Sequence, residues 1–392
     1  MSYHKLRADH LFTGQELLPS SFILIIGTDG EIISIVEQAE DNDGVEIVHG
    51  ILSPGFINAH CHLELSYLKG LVEPGKGMLE FISSVMELRS EVNDLPGTAI
   101  VDAENLMIAN GIVAVGDICN TDNTVLQKKK QRLSYYNFIE VTGFIEQNAL
   151  ERFQFSKAIQ DQFLGIGPAS IVPHAPYSVS KPLFEMIAAQ PSGKTITIHN
   201  QESLAEADFF LTSKGDLYKL YEKLGLDISF FNNPGKTSIQ ATLPLMKYRG
   251  KLILVHNVTT SIGDIDFAKK QSRMYGTELF WCLCPNANLY IGNSLPPVLQ
   301  LIRTEENIVL GTDSLASNQS LSILEEMKTI VKNFPGVDTA TVLGWATING
   351  ARALQMDEQL GSFEKGKRPG VILIEDIDNG KIKASSTVRR MV

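Results

Sequence analysis

Two histidines separated by one residue, His60 and His62, form the first pair in this sequence that could bind a metal ion. They follow an apolar run. In a β-strand, residues two apart point to the same side, so both imidazoles could reach one ion at about 2.0–2.1 Å. His199 and Asp313 each close a later apolar run and could complete a set of three nitrogens and one oxygen. A catalytic zinc ion held in this way keeps one position open for water. Taken alone, two histidines separated by one residue are a weak signal for a metal site.

An acidic residue, Glu202, lies three positions after His199. It comes just past the end of the apolar run, so it could stand over a bound metal ion and carry protons without being a ligand. The alternative is an ordinary acidic residue in the first turn of a helix, where the helix dipole favours it.

Eight apolar, β-prone runs recur in the middle of the chain, with helix-compatible segments between them: 56–59, 112–116, 135–141, 170–173, 195–198, 252–255, 278–283 and 308–311. Continuous apolar strands that alternate with helices predict an α/β fold, a parallel sheet closed into a (β/α)₈ TIM barrel. The carboxyl ends of all eight strands would then open on one face. Five of the eight histidines fall at these ends, namely 60, 62, 174, 199 and 256. Contact with water at strand ends explains Asp117 there, but it explains this concentration of histidines poorly.

Both ends of the chain are rich in short β-strands. Apolar segments at 21–26 and 31–36 flank a Gly-Thr-Asp-Gly turn, which predicts a hairpin. We therefore predict a small β-sandwich domain from residues 1–52 and 357–392, and a barrel from residues 53–356. Helices are predicted at 78–92 and 321–333. The lysine run 128–130 is interpreted as a solvated helix face.

Composition excludes several classes of protein. The net charge of −11 argues against a general nucleic-acid binder, which needs a basic surface. We find neither a signal peptide nor a run of about 18 apolar residues, so no membrane span is expected. Four cysteines are too few for a disulfide framework, and Cys61, Cys282 and Cys284 are interpreted as packed thiols. The expectation is a reduced, cytoplasmic protein that acts on a small molecule; a homodimer stays open.

The order and spacing of seven segments resemble the amidohydrolase superfamily, in its branch of nucleoside and nucleobase deaminases and chlorohydrolases. The segments are SPGFINAHCH (53–62), PHAPYS (173–178), HNQE (199–202), VHN (255–257), CPNANL (284–289), GTDSLASN (311–318) and ATINGA (346–351). The resemblance covers nearly the whole chain and implies the barrel with its flanking β-domain.

The resemblance also implies roles for individual residues. The metal ligands would be His60, His62, His199 and Asp313. The proton shuttle would be Glu202, with His256 beside the metal-bound water, and Asp313 would also accept a proton from that water. His174 would contact the substrate. Binuclear relatives carry a carboxylated lysine at the end of the fourth strand, where this chain has His174. One divalent ion is therefore implied, zinc first and Fe²⁺ as the alternative.

The substrate is predicted from the same resemblance. The segment 68–89 is expected to form a lid, with Phe81 and Glu87 as the aromatic and the ribose-binding glutamate of nucleoside deaminases. Helix core and solvated surface are the alternatives for these two residues. The best match is 6-amino-6-deoxyfutalosine deamination in menaquinone biosynthesis. Deaminases of S-adenosylhomocysteine, methylthioadenosine or guanine and triazine chlorohydrolases are alternatives. A non-enzymatic scaffold is disfavoured because all four ligands and Glu202 are present.

Overall fold

The computed structural model describes residues 3–37, 44–91, 97–231 and 235–392. Its strands are β1 (Tyr3–Arg7), β2 (His10–Phe12), β3 (Leu17–Pro19), β4 (Phe22–Gly27), β5 (Ile32–Glu37), β6 (Val45–Ile47), β7 (Ile51–Pro54), β8 (Phe56–Cys61), β9 (Ile112–Cys119), β10 (Ser134–Val141), β11 (Ala169–Pro173), β12 (Thr195–Asn200), β13 (Gly250–His256), β14 (Thr277–Leu283), β15 (Ile308–Leu310), β16 (Val371–Glu375) and β17 (Thr387–Arg390).

The α-helices are α1 (Met78–Glu91), α2 (Gly97–Ala109), α3 (Val125–Lys128), α4 (Ala149–Gln162), α5 (Lys181–Ala188), α6 (Leu204–Thr212), α7 (Asp216–Lys223), α8 (Ser238–Met246), α9 (Ile262–Tyr275), α10 (Pro285–Gly292), α11 (Val298–Arg303), α12 (Ile323–Asn333), α13 (Thr339–Ala346) and α14 (Ile348–Ala353). Among the described residues, no helix combines the length and the apolar character needed to cross a membrane.

The eight predicted central strands are confirmed as β8 to β15, in two four-stranded parallel sheets with the orders β11-β10-β9-β8 and β12-β13-β14-β15. Backbone hydrogen bonds link the two sheets at both edges. The His199 N–H donates to the His174 carbonyl at 2.9 Å, and the N–H groups of Thr312 and Asp313 donate to the His60 carbonyl at 3.0 and 3.1 Å. Strand β8 runs further than predicted and includes His60 and Cys61. The carboxyl ends of strands that are distant in sequence are therefore adjacent.

The two ends of the chain combine in two small sheets, ordered β5-β4-β1-β6 and β17-β16-β7-β2-β3. The predicted hairpin is confirmed, since β4 and β5 pair antiparallel. Strand β16 pairs antiparallel with β7, which leads directly into β8. Residues from both termini share one buried apolar cluster, which includes Leu6, Leu24, Val48, Phe363 and Leu373. The division of the chain at 52/53 and 356/357 stays a prediction.

The predicted helix 78–92 is observed as α1, although Val92 lies outside the described residues. The predicted helix 321–333 is observed as α12, which starts two residues later because Ser322 caps its N-terminus by accepting a hydrogen bond from the Glu325 N–H.

The interpretation of the lysine run as a solvated face is wrong for Lys128. This side chain is fully buried, and its Nζ lies 2.5 Å from Oδ2 of the equally buried Asp117. It also donates to Oδ1 of Asn137 at 2.9 Å. Lys129 and Lys130 are exposed. The run sits at the end of the short helix α3, so only its first member turns inward against β9 and β10.

Replacing Lys128 with alanine should leave the Asp117 carboxylate buried without its partner. We expect Lys128→Ala to lower the free energy of unfolding by about 3–5 kcal/mol, the usual cost of breaking a buried ion pair. Urea denaturation measures this change. The control Lys129→Ala, at an exposed position, should stay within about 0.5 kcal/mol of the wild type. Equal midpoints for the two variants would contradict the structural role of the pair.

Candidate metal centre and active site

Four side chains predicted as metal ligands converge at the carboxyl ends of three strands. His60 lies on β8, His62 directly after it, His199 on β12 and Asp313 after β15. Nε2 of His62 is 3.2 Å from Nε2 of His60 and 3.2 Å from Nε2 of His199. Oδ1 of Asp313 lies 3.3 Å from Nε2 of His62 and 3.6 Å from Nε2 of His60. All four residues are buried.

These distances fit one shared cation. Two ligand atoms at about 2.0–2.1 Å from a tetrahedral zinc ion are separated by about 3.4 Å, close to the 3.2–3.6 Å found among these atoms. Hydrogen bonding cannot account for the cluster, because Nε2 of His62 can donate at most one proton and faces two other imidazole nitrogens. A divalent cation satisfies all of these lone pairs together.

The protonation states suit metal binding. Burial lowers the pKa of His60, and it lowers the pKa of His62 to about 3, so both rings are neutral at neutral pH. Burial would raise the pKa of the Asp313 carboxyl, yet the neighbouring imidazoles of His60 and His62 hold it well below its usual range. Neutral imidazoles and an ionised carboxylate are the forms that bind a metal ion.

The orientation of His199 is fixed by a single carbonyl group. The His174 carbonyl accepts the backbone N–H of His199 at 2.9 Å and is also 2.8 Å from its ring Nδ1. A carbonyl can only accept, so Nδ1 carries the ring proton and Nε2 presents a lone pair to the cluster. Oε1 of Glu140 lies 3.5 Å from the same Nδ1. No role for Glu140 was predicted from the sequence.

Asp313 is positioned by its own loop and by β8. Its backbone has a φ of +57°, which costs energy for a residue other than glycine. The preceding Thr312 makes two hydrogen bonds with the side-chain amide of Asn58. Its backbone N–H donates to Oδ1 at 3.1 Å, and its hydroxyl accepts from Nδ2 at 2.8 Å. Ser317 donates its hydroxyl to Oδ2 of Asp313 at 2.6 Å, which leaves Oδ1 toward the histidines. The contact of Ser317 with Asp313 was not predicted from the sequence. A hydroxyl residue four positions after a candidate ligand, within the same turn, could have indicated it.

Strand β15 must also approach β8 closely for Asp313 to reach His60. A Cβ atom at Gly311 would lie 2.7 Å from Cβ of His60 and 2.9 Å from Sγ of Cys282. Glycine is therefore required at this position. Cys61, Cys282 and Cys284 are buried free thiols, as expected.

Glu202 and His256 face each other beside the ligand cluster. Oε1 of Glu202 lies 3.4 Å from Nε2 of His256, and both side chains are buried. Burial raises the pKa of the Glu202 carboxyl well above its usual range, and the charge of Asp313 adds to this. This shift favours the protonated carboxyl, the form from which Glu202 can donate a proton. Nδ2 of Asn288 is 3.0 Å from Nδ1 of His256, a contact that the sequence analysis did not predict.

His174 lies next to the ligand cluster. Its ring centroid is 4.9 Å from that of His199, and its Nδ1 is 2.6 Å from the hydroxyl of Ser178. Burial lowers its pKa to about 4, so the ring is neutral at neutral pH. This placement agrees with a residue that could contact substrate, a role that stays a prediction.

The two lid residues, Phe81 and Glu87, both lie on α1. Phe81 is half-buried and packs against an apolar cluster that contains Leu65 and Ala316. Glu87 is exposed. Neither observation connects these side chains with the ligand cluster, and their substrate-binding roles stay predictions. Arg89 on the same helix forms an ion pair with the buried Glu64, two residues after His62. Its Nη2 lies 3.3 Å from Oε1 of Glu64.

Removal of one ligand should abolish stable metal binding. Loss of a side chain that only hydrogen bonds a metal ligand lowers metal affinity by up to about 100-fold. Because His60 is proposed to bind the ion directly, we expect His60→Ala to weaken the affinity for Zn²⁺ by more than this. Elemental analysis after gel filtration measures the bound metal. The control is His49→Ala, at an exposed histidine of the terminal region, which should keep one ion per chain. A His60→Ala protein that also keeps one ion would contradict this assignment.

Comparisons with known proteins agree with this geometry. An adenosine deaminase of Helicobacter pylori is 29% identical over 333 residues, covering 82% of this chain and 78% of the relative. A 5′-deoxyadenosine deaminase of Methanococcus vannielii is 27% identical, covering 85% and 77%. The crystal structure of Helicobacter pylori aminofutalosine deaminase with methylthio-coformycin has a TM-score of 0.80 at 23% identity and covers 96% of this chain and 94% of its own, which shows a shared fold. The pattern of the amidohydrolase family matches residues 51–388, and this chain belongs to that family of hydrolases.

Proposed function

We propose that this protein is a metal-dependent deaminase of an adenine-type nucleoside, which replaces the 6-amino group of the ring by an oxo group and releases ammonia. We infer that the two parallel sheets close into a (β/α)₈ barrel with this site at its carboxyl face. The observation that carries the proposal is the pair Glu202–His256 at 3.4 Å beside the four-ligand cluster. The named activities of the adenosine-type relatives support the same reaction.

A divalent cation is required for this reaction. His60, His62, His199 and Asp313 would hold it, and zinc fits the three nitrogens and one oxygen, with Fe²⁺ as the alternative. When bound, such a cation lowers the pKa of a coordinated water from 15.7 toward about 7 and so makes hydroxide available at neutral pH.

The remaining steps belong to protein side chains. Asp313, ionised at neutral pH, accepts the proton that the attacking water loses. Because Asn288 donates to Nδ1 of His256, the proton of the neutral ring sits on Nε2, which can hydrogen bond the oxygen of that water. Glu202, whose raised pKa favours the protonated form, gives its proton to the ring nitrogen beside the reacting carbon. The water oxygen bonds to the ring carbon, and the amino group takes the proton that Asp313 had accepted. The C–N bond then breaks, ammonia leaves, and the new hydroxyl returns its proton to Glu202 as the ring becomes a lactam.

For the substrate itself we propose 6-amino-6-deoxyfutalosine, which would assign the enzyme to menaquinone biosynthesis. The fold shared with the Helicobacter pylori aminofutalosine deaminase supports this choice. The relatives named for 5′-deoxyadenosine and for methylthioadenosine and S-adenosylhomocysteine favour a second candidate, a deaminase of those nucleosides.

Ammonia release from a panel of substrates tests the proposal. The panel contains aminofutalosine, adenosine, 5′-deoxyadenosine, methylthioadenosine, S-adenosylhomocysteine, guanine and an aminotriazine. We expect turnover of the adenine nucleosides, with the highest kcat/KM for aminofutalosine. Turnover of guanine or the aminotriazine alone, or of nothing on the panel by the zinc-loaded protein, would overturn the proposed activity.

Glu202→Gln tests the proton donor. The amide keeps the shape of the side chain but cannot deliver the proton, so kcat should fall by about 10²–10⁴-fold. Bound metal should stay at one ion per chain, because Glu202 is not a ligand. Glu151→Gln, an exposed residue of α4, serves as the control and should keep full turnover. The assigned role is wrong if Glu202→Gln is as active as this control.

A further inference from the structure

The turn that carries Glu202 is held by a second glutamate, Glu206, which no step above uses. The backbone N–H of Gln201 donates to Oε1 of Glu206 at 2.9 Å, and the backbone N–H of Glu202 donates to Oε2 at 3.0 Å. Glu206 is completely buried. One carboxylate therefore binds two successive peptide groups, one of them that of the proposed proton donor.

This arrangement differs from ordinary helix capping. Glu206 is the third residue of α6, and its own N–H donates to the hydroxyl of the N-cap residue Ser203 at 3.3 Å. In a capping box the carboxylate at this position returns to the N–H of the N-cap residue. Here it reaches past Ser203 to the two residues before it. The start of α6 is thus bonded directly to the turn between the metal ligand His199 and the helix.

The turn needs such support. Gln201 has a φ of +48°, a left-handed conformation that is unfavourable for glutamine. The Gln201 side chain bonds to a different segment: its Oε1 accepts from the Thr260 hydroxyl at 2.7 Å, and its Nε2 donates to Asp264 at 3.2 Å. The hydrogen bond found for the Glu202 backbone N–H within the described residues is the one to Glu206.

We propose that Glu206 is a positioning residue that sets the place of the Glu202 carboxyl beside His256 and the metal ligands. The inference rests on the proposed deaminase function. Only an ionised carboxylate offers two equivalent acceptors at this spacing. A glutamine has one acceptor oxygen, and its NH₂ group would meet the second backbone N–H as another donor. The turn would then lose one bond, and Glu202 would lose its fixed distance to the reacting ring.

The test is Glu206→Gln in the zinc-loaded enzyme, assayed with the panel nucleoside that the wild type converts fastest. We expect kcat to fall about 10–100-fold, with KM and the content of one ion per chain unchanged. The matched control is Glu104→Gln. Glu104 is also completely buried. Its carboxylate accepts hydrogen bonds from the side chains of Gln127, Arg132 and Tyr135, near the amino end of β10 and therefore away from the ligand cluster. This control should lose stability while it keeps kcat.

A double variant separates positioning from general destabilisation. In the Glu202→Gln background, Glu206→Gln should lower kcat little further, because the proton donor is already absent. If Glu206→Gln does not fold, Glu206→Asp replaces it in the test. The aspartate keeps two acceptor oxygens on a shorter side chain, so this variant should fold and have an intermediate kcat. An active wild type with an equally active Glu206→Gln protein overturns the inference. So does a loss that appears in KM or metal content, or one that is fully additive with Glu202→Gln. An inactive wild type overturns the proposed function, and this role with it.

Discussion

The convergence of three buried imidazoles and one buried carboxylate within 3.2–3.6 Å is the constraint on which the site depends. Imidazole nitrogens with lone pairs facing one another repel unless a cation lies between them. The fold creates this arrangement through backbone hydrogen bonds. The carbonyl of His60 receives the N–H groups of Thr312 and Asp313, and the carbonyl of His174 receives both the backbone and the ring of His199. The bonds that join the two sheets are therefore the bonds that place the ligands.

Much of this could be predicted from sequence because parallel strands carry a strong local signal. Runs such as 252–255 are apolar throughout, since both faces are covered, and the polar residue that follows, here His256, marks the carboxyl end. Once eight such runs are recognised, the topology alone brings residues that are about 250 positions apart, such as His60 and Asp313, to one face. The order of motifs then assigned the ligands, which the structure brings together as a set.

What the sequence did not reveal are interactions that depend on which way a side chain turns. The lysine run 128–130 looked like a solvated face, yet the first member points inward to Asp117 because α3 ends there against β9 and β10. Ser317, Asn288 and Glu206 are ordinary polar residues in turns or first helical turns, and their roles follow only from the groups they meet. The roles expected for Phe81 and Glu87 on α1 stay predictions for the same reason. Helical periodicity alone does not say which face of that helix lies toward the site.

Two carboxylates at the site have opposite pKa shifts, and this difference suits the two proton-transfer roles proposed for them. Burial acts on both Asp313 and Glu202. The imidazoles of His60 and His62 next to Asp313 outweigh burial and hold the pKa of its carboxyl well below the usual range. Glu202 has no such compensation, and the charge of Asp313 raises its pKa further. The proposed acceptor and the proposed donor of protons therefore differ because one carboxylate lies among the proposed metal ligands and the other stands outside them. The separation holds only while the turn keeps Glu202 at its distance. The backbone contacts of that turn are therefore as much a part of the proton chemistry as the carboxyl group itself.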